Sequence, residues 1–236
     1  MERAEATSWP SYHGRFGRGF ADGFATATEW DVTSGKNIAW QTPIPGLSHS
    51  SVVVWGERVF VNTAVKDGDG DAELRVGLYG DIKPVEDESK HELRLLCLNK
   101  SDGKVLWSSL KDSKGMMSSG SFSSPVIATL AGQRQLVVQT RQALCGVDLE
   151  SGKVLWQQPI ESFRGMNILT PVIKGDRVFN TAHSGKAQLF EIAKSEEGEW
   201  SVDEVWSQKS QGYMSSPVLI GDTIYLHQKN QRATAL

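Results

Sequence analysis

The sequence predicts an all-β fold: a β-propeller of four-stranded antiparallel blades, present as an arc of about four. Three observations carry this. A strand-turn-strand ending in tryptophan runs from Leu98 to Trp107 through Ser101-Asp102-Gly103-Lys104, and returns from Val147 to Trp156 through Ser151-Gly152-Lys153. A third copy runs from Asp31 to Trp40 through Ser34-Gly35-Lys36. In phase with it, a hydroxyl-rich strand start recurs at Ser50-Ser51, Ser123-Ser124-Pro125, Leu169-Thr170-Pro171 and Ser215-Ser216-Pro217, the prolines 46 residues apart in each step. Trp107, Trp156 and Trp206 follow at steps of 49 and 50. A period near 50 residues marks stacked units, because one such unit cannot bury its apolar faces without neighbours.

Each unit reads as strands A to D. Strand A begins at the Ser-Ser-Pro, where a proline is tolerated because a first residue need not donate to the ladder. The A to B turn is Gly56-Glu57, Gly175-Asp176 or Gly221-Asp222 between apolar runs, a hairpin signal that requires positive φ. Strand C ends in Asn99 or Asp148, and the C to D turn places Gly103 or Gly152 where a positive φ is needed, beside a short polar residue that bonds its own backbone. Strand D ends in Trp107, Trp156 or Trp206, expected to plug between adjacent blades, where each buried aromatic contributes roughly 1.5–3 kcal/mol or more.

In chain order this predicts an N-terminal extension over 1–30, an isolated D-type strand over 37–43 ending the third repeat copy at Trp40, a blade over 44–109 interrupted by an insertion at 66–92, blades over 110–158 and 159–208, and an incomplete blade over 209–236. Arg232 to Leu236 aligns with a strand C whose turn and strand D do not follow, so the sequence reads as a fragment with open edges.

Composition excludes several function classes. Charged residues are 22%, glycines number 23, and the net charge of −3 leaves no nucleic-acid footprint. No run of 18 apolar residues predicts a transmembrane helix, and Met1-Glu2-Arg3-Ala4-Glu5 does not open a signal peptide. Cys97 and Cys145 stand 10 and 11 residues before their tryptophans, so they are expected on opposite sides of their blades, as two buried hydrophobes without a disulfide. In the insertion, Asp67, Asp69 and Asp71 alternate as calcium ligands do, but the EF-hand glycine position holds Ala72 and the twelfth position Leu78, so a solvated acidic loop is expected. The five histidines have no metal spacing.

Candidate site residues lie at the starts of the innermost strands. His49, Ser51, Ser124, Thr170 and Ser216 there, with Arg141, Arg164, Asn167 and His183, would form a polar ring at the channel mouth able to hydrogen-bond a ligand. The competing reading is that short hydroxyl side chains satisfy backbone groups where the inner strands crowd together. Neither reading supplies a catalytic residue.

The residues from Cys97 to Lys104 and from Gly146 to Lys153 resemble the Ala-Leu-Asp-x-x-Thr-Gly-Lys-x-x-Trp pattern of pyrroloquinoline-quinone (PQQ)-like propeller repeats. Trp9-Pro10-Ser11-Tyr12-His13-Gly14 also resembles the Trp-Pro-x-Phe-Arg-Gly opening of bacterial secreted members. The resemblance covers nearly the whole chain from Thr28. It implies a ring of seven or eight blades and a periplasmic or secreted home. It also implies one of two functions: a non-catalytic scaffold like the outer-membrane assembly factors, binding an envelope or secreted protein partner without a cofactor, or a PQQ- and calcium-dependent alcohol or sugar dehydrogenase whose catalytic residues lie partly in the missing blades. The dehydrogenases commonly carry a vicinal cysteine pair, absent here, and the strand A starts offer no Asp or Glu as base, which favours the scaffold.

Overall fold

The computed structural model describes residues 8–21, 25–67, 89–112, 122–162, 167–183, 185–210, 212, 215–228 and 230–236. Strands β1 (Val53–Trp55), β2 (Arg58–Lys66), β3 (His91–Asn99) and β4 (Val105–Asp112) form the first antiparallel sheet. The second holds β5 (Val126–Leu130), β6 (Gln133–Gln139), β7 (Ala143–Asp148) and β8 (Val154–Pro159). The third holds β9 (Val172–Lys174), β10 (Arg177–Thr181), β11 (Ala187–Lys194) and β12 (Trp200–Gln208). A fourth sheet has three strands, β13 (Val218–Ile220), β14 (Thr223–His227) and β15 (Ala233–Ala235). Each sheet pairs its strands in sequence order, which is the blade topology expected from the repeat.

Turn chemistry explains the connections. The A to B hairpins of sheets one, three and four have a positive φ at Gly56, Gly175 and Gly221 and not at the acidic residues beside them, as a II′ turn requires. The second sheet instead uses Ala131 and Gly132, both at positive φ. In the C to D turns Gly103 and Gly152 stand at φ 70° and 72°, as expected. Asn99 Oδ1 accepts from Ser101 N at 2.8 Å, and Asp148 Oδ1 accepts from Ser151 N at 2.8 Å. Burial would raise the Asp148 pKa, but the Ser151 hydroxyl and the Ser151 and Glu150 amides outweigh it and hold the carboxyl below its ordinary value.

One feature recurs that periodicity did not reveal. The ladder slips one residue immediately before each D-strand tryptophan: Cys97 faces Trp107 but Leu98 faces Val105, Gly146 faces Trp156 but Val147 faces Val154, and Leu189 faces Trp206 but Phe190 faces Glu204. The extra residues, Leu106, Leu155 and Val205, are bulges. A bulge raises local twist and re-aims the neighbouring side chain, here the tryptophan.

The cores lie between sheets. Val53, Phe60, Leu95 and Cys97 of the first sheet pack on Leu136, Val138, Cys145 and Val147 of the second. Val137, Leu144 and Trp156 of the second pack on Val178, Phe190 and Ile192 of the third, and Phe179 and Ala187 of the third pack on Ile224 of the fourth. Cys97 and Cys145 do sit on opposite sides of their own sheets, which places both in the same core between sheets one and two, without a disulfide. Burial raises the Cys97 pKa to about 11.

One expectation about the N-terminal region needs revision. Residues 37–43, expected as a D-type strand, pair with no strand among the described residues. They lie as irregular chain on the first sheet, where Trp40 and Ile44 cover Val59, Leu96 and Leu98. The ladder needs a strand C alongside, and none is offered. Within the N-terminal extension, Trp9 exchanges both backbone hydrogen bonds with Val54 at 2.9 Å, and Pro10 O accepts from Ile127 N at 2.8 Å. The Trp9-Pro10 segment thus wedges between the inner strands β1 and β5. Of the insertion, residues 68–88 with Asp69 and Asp71 lie outside the described residues; at its base β2 and β3 stay paired out to Lys66 and His91.

Candidate functional site

The inner rim brings together part of the expected ring and uses it between sheets. Ser51 N donates to Ser124 Oγ at 2.8 Å, joining sheets one and two, and Ser123 Oγ donates to Leu169 O at 2.8 Å, reaching the third sheet's strand A. Arg141 and Asn167 are buried, the Arg141 guanidinium donating to His91 O and Asn167 Nδ2 to Thr140 O at 2.8 Å. His183 is buried as well. Thr170 is half-buried. His49 and Ser216 are exposed, and His49 stacks on Phe122 with ring centroids 5.2 Å apart and an interplanar angle of 5°. Arg164 lies outside the described residues.

Sequence reasoning missed a set of buried polar side chains just behind this rim. Phe60, Val137 and Phe179 face Val53, Val126 and Val172 in register, and two residues beyond each stand Asn62, Gln139 and Thr181, all buried. Asn62 Nδ2 donates to Ser123 O at 3.2 Å, whereas neither amide atom of Gln139 has a hydrogen-bond partner among the described residues. Their spacing from the strand B aromatic or valine was the available signal. Among the described residues no three His, Cys, Asp or Glu side chains gather as a metal-binding set, and no helix is long and apolar enough to cross a membrane.

The D strands show how adjacent sheets lock. Trp40 lies over Gly103, where an added Cβ would stand 2.4 Å from the ring, and Trp107 lies over Gly152, where it would stand 2.6 Å away. Two residues on, Thr42 Oγ1 donates to Gly103 O at 2.8 Å and Ser109 Oγ to Gly152 O at 2.5 Å. Trp156 differs: the third sheet's C to D hairpin is longer, so its ring lies in the core against Gly146 and donates Nε1 to the buried Gln135 Oε1 at 2.6 Å. Trp206 lines a cavity of about 350 Å³ between sheets three and four with Phe179, Leu189, Leu219, Ile224 and Leu236.

The outer wall is different in character. β4, β8 and β12 are the terminal strands of their sheets, and Val105, Leu106 and Val205 stand exposed on two of them. Such strands offer unpaired backbone donors and acceptors together with apolar side chains, the requirements for adding a further strand.

A family model described as outer membrane protein assembly factor BamB matches residues 16–236. Among solved structures, that of BamB from Moraxella catarrhalis aligns with 13% identity and a TM-score of 0.44, over 84% of this chain and 49% of the other, so the chain spans about half the length of that protein. No curated protein matches. With four consecutive sheets built on one repeat and a match reaching from residue 16 to residue 236, the chain belongs to the family of the outer membrane protein assembly factor BamB.

Proposed function

We propose that this chain is a non-catalytic, cofactor-free scaffold of the bacterial envelope that binds another protein through the outer edges of its sheets. The observation that carries the reading is the outer wall: among the described residues β4, β8 and β12 leave their edges open, with Val105, Leu106 and Val205 exposed beside them. The inner rim supports it from the other side, since Ser123, Ser124, Arg141 and Asn167 direct hydrogen bonds to neighbouring sheets and act as architecture. The family's description as an outer membrane assembly factor supports a periplasmic site of action and a partner rich in β-strands. Edge addition suits such a partner, because main-chain bonds give affinity to any extended segment and alternate side chains give selectivity.

The test uses synthetic peptides of about ten residues with alternating apolar and polar side chains, the pattern of outer-membrane strands. Calorimetry is expected to find saturable binding, weakened about tenfold or more by Val205→Lys, a 1.4 kcal/mol effect or larger, with the melting temperature unchanged. No binding by the wild-type chain would overturn the reading. Titration with PQQ and Ca²⁺, coupled to dye-linked alcohol oxidation, is expected to give neither heat nor turnover. Tight binding with turnover abolished by His49→Ala would make the inner rim a catalytic site.

A further inference from the structure

Three seams join the four described sheets, and the strand B repeat brings the same two positions together behind the inner rim at each. Side chains alternate along a strand, so a residue two beyond another shares its side of the sheet. Val137 packs in the core between sheets two and three, and Gln139 follows it on that side. Val178 enters the same core from the opposite sheet, and Asn180 follows it in turn. The ladders of β6 with β7 and of β10 with β11 run without a slip through these residues, so the alternation holds. Gln139 and Asn180 therefore face one another across the seam, each 2% exposed.

The equivalent pairs are Asn62 with Val138 between sheets one and two, and Thr181 with Leu226 between sheets three and four. In each, one member is apolar and the other has a partner on the connector to the next sheet. Asn62 Nδ2 donates to Ser123 O at 3.2 Å; Thr181 Oγ1 donates to Ser210 O at 3.3 Å and accepts from Gly212 N at 3.1 Å. Convergence of the two positions is visible at Gly212, where an added Cβ would stand 2.8 Å from Leu226 and 2.9 Å from Thr181. The seam between sheets two and three departs from this rule. Both its positions carry primary amides, and neither the nitrogen nor the oxygen of either has a hydrogen-bond partner among the described residues. On its connector the buried Asn167 donates Nδ2 to Thr140 O at 2.8 Å, beside Gln139. That bond fixes the amide and leaves Asn167 Oδ1 without a partner among the described residues.

Two NH2 groups and three oxygens thus stand buried at one seam. A primary amide taken out of water forfeits its hydrogen bonds unless they are replaced. The mixture of groups decides what can replace them. A cation would face the NH2 groups, an anion would face the oxygens, and an apolar molecule would leave all five as they are. Water both donates and accepts, and an internal water makes about three bonds to such groups. We infer that the seam between sheets two and three is an internal water site, of about two molecules at roughly three bonds each, bridging Gln139, Asn180 and Asn167. The water ties these two sheets where the other seams use a direct bond from strand B to the connector.

Rotating-frame cross-relaxation to water, followed by NMR on the 236-residue chain, is the test. The side-chain NH2 protons of Gln139 and Asn180 are expected to show water cross-peaks of the sign that separates a bound molecule from proton exchange. Asn180→Val copies Val138 of the first seam and should abolish the cross-peaks at Gln139. In urea, Asn180→Val and Gln139→Leu should each lower the unfolding midpoint, because each strands the remaining amide. The double variant strands neither, so its unfolding constant should depart from the product of the single effects by about tenfold or more, toward stability. Absence of water cross-peaks at both amides of the wild-type chain would overturn the inference. So would an Asn180→Val chain that keeps them at Gln139, or single effects that combine without coupling.

Discussion

Gly152 is glycine for two separate reasons: its φ of 72° is a conformation that side chains rarely adopt, and Trp107 lies where a Cβ would go. Gly132 has only the first, since its φ is 75° but nothing lies within 4 Å of an added Cβ. Gly132→Ala is therefore expected to cost ~1 kcal/mol, and Gly152→Ala distinctly more; equal costs in urea denaturation would show that the ring does not bear on the turn. Trp156→Phe keeps the apolar bulk but strands the buried Gln135 carbonyl oxygen, an expected loss of about 1–3 kcal/mol. Trp107→Phe should cost less, because the Trp107 Nε1 has no hydrogen-bond partner to lose among the described residues. Cys97, buried between sheets with its pKa pushed up to about 11, should resist alkylation at mildly alkaline pH while the chain is folded. Stoichiometric labelling of Cys97 under native conditions would contradict that packing.

At the scale of elements, the C to D turn explains a pH dependence. Asp148 titrates below its ordinary value because hydrogen bonds to the carboxylate outweigh burial. A carboxyl with a depressed folded pKa contributes stability that is complete above its unfolded pKa of about 4 and lost as pH falls through the folded value. Asn99 makes the same turn without a charge, accepting from Ser101 N at 2.8 Å. Asp148→Asn should then keep the turn and flatten the fall in melting temperature below about pH 4; an unchanged acid limb would remove Asp148 from the account. Much of this element was legible beforehand. Gly-Asp between apolar runs and Ser-Gly-Lys before Trp each name a turn through local chemistry, and Gly103 and Gly152 take the expected φ. What could not be read was non-local. Trp40 and Gly103 are 63 residues apart, and their contact depends on two successive units stacking in register. The bulges at Leu106, Leu155 and Val205 leave no gap in the apolar pattern that would announce them.

For the whole molecule, the repeat period foretold the stack of sheets and the placing of its cores between them, because a sheet flanked by two others presents two apolar faces. The role of the N-terminal region was not readable in the same way. Trp9 and Pro10 join the inner strands through single bridges to Val54 and Ile127, which carry no periodicity, and 37–43 holds a strand-forming sequence that lacks a neighbour. The inner rim was half legible: its hydroxyl residues were identified, but their bonds run between sheets, from Ser51 to Ser124 and from Ser123 to Leu169, and repeats show no such pairing on the page of a sequence. That division between an inner rim used as architecture and an outer wall left open is the central claim. Amide hydrogen exchange on the chain, with and without a bound alternating-pattern peptide, tests it most directly. The account predicts new protection along the outer edges, in β4, β8 or β12 around Val105, Leu106 and Val205, with the rim amides unchanged; protection gained instead at Ser51, Ser124, Asn167 and Thr170, with the outer strands unaffected, would contradict it.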